Sequence, residues 1–151
     1  IYANSFYYDR NGNAVWPAQN INFTNKTQFL FRISKGTLNV NDNDVNRYFP
    51  KESIRIPFDN IVYIGDSQTD IPCMKLVNSL GGQAIGVYDP KLKNKERVHS
   101  LIRDKRIKYF AAADYSKNKD LEKLLKQIID YSKATFALKQ EYYKNLEESE
   151  L

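Results

Sequence analysis

Strands alternating with helices predict an α/β fold, doubly wound, with a mostly parallel sheet covered by helices. Three observations carry this reading. Ile61-Val62-Tyr63-Ile64 is a short, β-branched apolar run bounded by turn residues, the form of a strand buried on both faces. Two further runs, Ala84 to Tyr88 and Ile107 to Ala112, follow at spacings that leave room for a helix between each pair. From about Lys119, the positions Leu121, Leu124, Leu125, Ile128, Ile129 and Leu138 mark a long amphipathic helix.

Earlier in the chain, Ile1 to Tyr8 is rich in strand formers, Asp9 to Asn13 is a turn, and Ala14 to Phe23 resumes with Val15, Trp16, Ile21 and Phe23. This predicts strand, turn, strand, with the second strand reaching Phe23. Thr24-Asn25 can cap a helix in which Phe29, Leu30 and Ile33 share a face and Gly36 is the stop. Asn39 to Ile56 is polar, carries Asn41-Asp42-Asn43-Asp44, and reads as loop with a short helical turn. After Ile64, Pro72 is tolerated in a first helical turn, Met74, Val77 and Leu80 have helical spacing, and Gly81-Gly82 ends the helix. Lys93 to Arg103 reads as a charged surface helix, and Glu141 to Leu151 as a polar end that frays. No repeat or linker divides residues 1–151, so one domain is expected.

Composition narrows the chemistry. The longest apolar runs fall short of the roughly 18 residues that cross a bilayer, and no basic patch followed by an apolar stretch opens the sequence, so the reading is cytoplasmic with no membrane partner. Residue 1 is Ile1 and the sole methionine is Met74, as expected of a cut piece or a processed product. One cysteine, Cys73, and one histidine, His99, supply no zinc cluster, so any metal would be held by oxygen. A net charge of +5 comes from scattered lysines and arginines without a base-reading motif, and nucleic acid is not expected as a partner.

Ile64-Gly65-Asp66-Ser67-Gln68-Thr69-Asp70 sets two carboxylates across a strand-to-helix turn, at the strand end where α/β folds bind ligands. Paired oxygen ligands on a tight loop suit Mg²⁺, which keeps several waters beside one or two carboxylates and a phosphate. The plainer alternative is that Asp66 turns the chain and Asp70 caps the next helix. Lys26, at a helix start, opposes the helix dipole unless it faces an anion, and the plainer alternative is a solvent-facing lysine. Lys35 is its rival, late in the same helix, where a cation is favourable without any function.

These two sites together resemble the haloacid dehalogenase superfamily of phosphohydrolases. Its third motif is a lysine after a core strand, matched by Thr24-Asn25-Lys26, and its fourth is a strand ending in GDxxxD, matched by Val62 to Asp70. Tyr2 to Phe6, Ala14 to Pro17 and Ala113-Asp114-Tyr115 are similar to phosphoserine-phosphatase-like bacterial members, so the resemblance covers most of the chain. It implies a Rossmann-like core and Mg²⁺-dependent hydrolysis of a small phosphorylated substrate through an aspartyl-phosphate. Asp66 would bind Mg²⁺, Asp70 would support the metal and its waters, and Lys26 would hold the nucleophile and phosphoryl charge together. The family's first motif, DxDx[TV] after a strand, has no counterpart: Asp42-Asn43-Asp44 has the spacing but lies in a polar loop. The second-motif Ser or Thr is also missing. The expectation is therefore a C-terminal part of a phosphatase, inactive by itself and without its nucleophile.

Two other readings stand beside it. A non-catalytic binding or structural module is one, and a sheet missing a core strand would expose an edge prone to self-association. The other is an SGNH-type esterase with Ser67 of Gly65-Asp66-Ser67 as nucleophile, for which His99 lacks the expected DxxH setting.

Overall fold

A short hairpin, β1 (Ser5–Tyr8) and β2 (Ala14–Gln19), leads through an asparagine-rich turn into helix α1 (Lys26–Lys35). After a segment of 3₁₀ turns the chain alternates β3 (Val62–Gly65), α2 (Ile71–Ser79), β4 (Gln83–Tyr88), α3 (Lys95–Arg103), β5 (Tyr109–Ala112) and α4 (Asp120–Ser149). The computed structural model describes residues 1–92 and 95–150, so the expected helix start at Lys93 and the last residue of the expected fraying end, Leu151, lie outside the described residues.

β3, β4 and β5 form a parallel sheet in that order, with Ile64 opposite Ile85 and Val87 opposite Ala111. Strand alternation sorts its side chains onto two covered faces. On one face, Met74, Ala84, Val98, Leu101 and Ile107 pack together from α2, β4, α3 and the approach to β5. On the other, Ile85, Val87 and Ala111 pack against Leu121 and Ile128 of α4. A third cluster, Leu30, Cys73 and Val77, fastens α1 to α2. Burial of aliphatic side chains of this size contributes about 1.5–3 kcal/mol each and is what orders the layers. The α/β class and the parallel sheet with helices on both faces are thus present.

Four features differ from the sequence expectation. β1 and β2 pair antiparallel with each other and belong to a separate two-stranded sheet, not to the core. β2 stops at Gln19, short of Phe23, because Asn22 and Asn25 turn the chain: Asn22 N–H donates to Asn25 Oδ1 and Thr24 N–H to Asn22 Oδ1. Asn25 therefore flanks α1 without capping it by its side chain. Among the described strands β4 is central and β3 an edge, with Val62 still 36% exposed, although a run such as Ile61 to Ile64 reads as fully interior. Finally, α4 continues as helix to Ser149, but Ile129 and Leu138 point away from the sheet and only its first half is core.

The C-terminal end of α1 is clamped by its own cations. Buried Arg32 donates through Nη1 to the carbonyls of Thr37, Asn39 and Asp42 and through Nη2 to Val40. Lys35 donates to the carbonyls of Val45 and Arg47. Gly36, at φ 80°, makes the left-handed step that sends the chain back into this clamp. Fixing that end of α1 fixes the other, where Lys26 lies.

Candidate functional site

The site is built where β3 ends. Gly65 is required there by space: a Cβ would lie 2.7 Å from Met74 Cε and 2.8 Å from Asp70 Cβ. With no side chain at 65, the short 3₁₀ turn Gln68–Asp70 folds back against the strand end and carries Asp70 into the protein. Asp66, the next residue along, stays exposed.

Asp70 is the hub. Its Oδ1 accepts from Lys26 Nζ at 2.7 Å and from the Tyr63 hydroxyl at 2.8 Å. Its Oδ2 accepts from Ser67 N–H at 3.0 Å and from Ser67 Oγ at 2.8 Å. A carboxylate has about four such acceptor sites, so these donors fill them. Burial alone would raise the Asp70 pKa, but hydrogen bonds from Lys26, Ser67 and Tyr63 outweigh it and hold the carboxyl at about 2. Burial, and then the bond to Asp70, push the Tyr63 phenol well above its ordinary value, so it is a donor at any physiological pH.

The hydroxyls have a direction. Ser67 Oγ spends its one proton on Asp70, so the 2.6 Å contact with Thr69 Oγ1 is donated by Thr69. Thr69 in turn accepts from Lys26 Nζ at 3.4 Å. Among the described residues Lys26 Nζ has two partners, Thr69 and Asp70, which leaves one of its three protons for the cleft. That cleft, of about 1120 Å³, is walled by Lys26, Gly65, Asp66, Ser67 and Asp70 on one side. The loops after β4 and β5, with Asp89, Lys91, Asp114 and Tyr115, form the other.

The residues singled out in the sequence are therefore distributed as follows. Lys26, Asp66 and Asp70 line one cleft at the C-terminal end of a parallel strand. Lys26 and Asp70 are in direct contact, and no hydrogen bond or ion pair engages the Asp66 side chain among the described residues. Asp70 does not cap α2, since its carboxylate faces back to Ser67 and Lys26. Lys35 is turned away into its clamp, and Asp42 and Asp44 belong to the same distant loop, where Asp42 Oδ1 accepts from Asp44 N–H. Ser67 is bonded to Asp70, while His99 lies on α3 against Phe110 and 3.7 Å from Glu96. Cys73 is fully buried in the core. Tyr63 and Thr69 were not singled out. The signal for Tyr63 was a phenol inside an otherwise aliphatic strand, since a buried Tyr hydroxyl needs a partner.

The donor set bears on metal binding. Asp70 has no oxygen to spare, and no group of three or more His, Cys, Asp or Glu converges among the described residues. What remains in the wide polar cleft, among the described residues, is Asp66, whose side chain has no partner there, with Asp89 and Asp114 on the loops across from it. That fits an ion such as Mg²⁺, which keeps most of its waters and takes one or two carboxylates with a substrate phosphate.

Among curated proteins, the chain is similar to an uncharacterized protein of Borreliella burgdorferi (strain ATCC 35210 / DSM 4680 / CIP 102532 / B31). The two are 30% identical over 101 residues, which is 67% of this chain and 34% of that protein, so the chain spans about a third of the relative's length. No protein-family model and no solved structure matches it. No helix among the described residues is long and apolar enough to cross a membrane.

Proposed function

We propose that this chain contributes the metal- and phosphate-binding half of a phosphohydrolase site of haloacid dehalogenase type, on a Rossmann-like core. The observation that carries the reading is the contact of Lys26 with Asp70 beside Asp66, whose side chain has no partner among the described residues, on one cleft at a parallel strand end. A lysine held by a buried carboxylate is oriented, and its unspent proton can meet a phosphoryl oxygen at little cost in side-chain entropy. Asp66 would hold Mg²⁺, which when bound neutralises phosphate charge. Asp70 orients Lys26 and supports the metal's surroundings without spending an oxygen on it. The substrate is a small phosphomonoester, and the attacking carboxylate and its acid partner come from outside these 151 residues. A non-catalytic phosphate-binding role for these residues alone is consistent with the same geometry. The esterase alternative is not favoured, because Ser67 faces Asp70 and has no imidazole beside it.

The test is calorimetric titration of the chain with inorganic phosphate, with and without Mg²⁺, beside Asp66→Ala. The reading predicts binding that needs Mg²⁺ and is lost in the variant. Metal-independent binding, or none, sinks it.

A further inference from the structure

The phosphate reading gives Lys26 its task, but the position of Lys26 depends on a residue that reading does not use. We propose that Tyr63 is a positioning residue for Lys26, acting through Asp70. The inference rests on the phosphate reading for its purpose, and on geometry for its content. Asp70 Oδ1 has two acceptor directions. Lys26 Nζ fills one at 2.7 Å and Tyr63 Oη the other at 2.8 Å. With Oδ2 held by Ser67, the carboxylate plane has one orientation, and the ammonium bound to it has one place.

The phenol is suited to this. Its ring packs against the clusters that hold α2 to the sheet, so it cannot swing away. Removing only the hydroxyl opens one acceptor site on Oδ1 while the ring contacts stay. Lys26 can then move across that oxygen, or water can enter beside it, and the third ammonium proton loses its fixed direction. Thr69, at 3.4 Å, is too distant to hold it alone.

The experiment compares the full chain with Tyr63→Phe by ¹⁵N relaxation of the lysine ammonium groups and by titration with inorganic phosphate and Mg²⁺. Lys139, paired with Asp59 at 2.8 Å, is the internal control. A more mobile Lys26 ammonium, an unchanged Lys139 and phosphate binding weakened by about fivefold are expected, the effect of one lost hydrogen bond. Unchanged mobility and affinity overturn the role. Equal loosening of Lys26 and Lys139, with a less stable fold, overturns it in favour of a purely structural tyrosine. If the wild-type chain binds no phosphate yet Tyr63→Phe loosens Lys26 alone, the phosphate reading fails while the positioning contact stands.

Discussion

Lys26 Nζ and Asp70 Oδ1 lie 2.7 Å apart across 44 positions of sequence, and the Asp70 side chain is only 8% exposed. A carboxylate so placed cannot lose its cation cheaply. Lys26→Met is expected to destabilise the fold by about 2 kcal/mol, because it leaves a buried charge with neutral donors only. Urea denaturation measures this, and a change below a few tenths of a kcal/mol would mean that water replaces the lysine freely.

The same pair makes stability depend on acid. Asp70 is held at about 2 against an ordinary value of 3.8, so its contribution is complete above about pH 5 and is lost as pH falls toward 2. The difference corresponds to about 2 kcal/mol. Thermal melts between pH 6 and 2.5 should show this loss, and it should be much smaller in Asp70→Asn.

Gly65→Ala tests the packing beneath the site. The added methyl would overlap Met74 and Asp70, and the cost of forcing them apart is about 1–3 kcal/mol. The specific expectation is that Asp70 moves, so that the variant loses the acid-linked stability as well as total stability. A variant that is less stable but keeps the full acid dependence would place the strain elsewhere.

How much of this was legible in the sequence varies by element. The Gly65 to Asp70 turn could be read because its residue types are forced locally: glycine where there is no room, acids at a strand end. Lys26 was legible as an oddity, a cation at a helix start, and Lys35 as its opposite. Tyr63 was legible only as a phenol in an aliphatic strand that needs some partner, because Ile61-Val62-Tyr63-Ile64 has the same periodicity whether its hydroxyl reaches solvent or Asp70. The separateness of the hairpin was also hidden. Val15, Trp16 and Phe23 look like core formers, yet each is more than half exposed, and only the Asn22–Asn25 hydrogen bonds show why the strand ends early. Likewise, strand order is a property of pairing, and no pattern within β3 announces that it lies at an edge.

Arg32→Met probes the far end of α1. Its guanidinium donates to four carbonyls between Thr37 and Asp42, and losing those bonds in a buried setting should cost about 2–3 kcal/mol. Hydrogen exchange should rise first in residues 37–47, before the β3 to β5 sheet. Uniform exchange across the chain would instead make this loop part of the main cooperative unit.

If Asp66 is the metal-binding carboxylate of a phosphate site completed by Lys26, paramagnetic broadening by Mn²⁺ will show it. With inorganic phosphate present, substoichiometric Mn²⁺ should broaden the backbone resonances of Asp66 and Ser67 before any others, and Asp66→Ala should abolish the effect. Broadening centred instead on Asp89 and Asp114 across the cleft, or on the glutamates at the end of α4, would place the metal away from Asp66 and rule out this site.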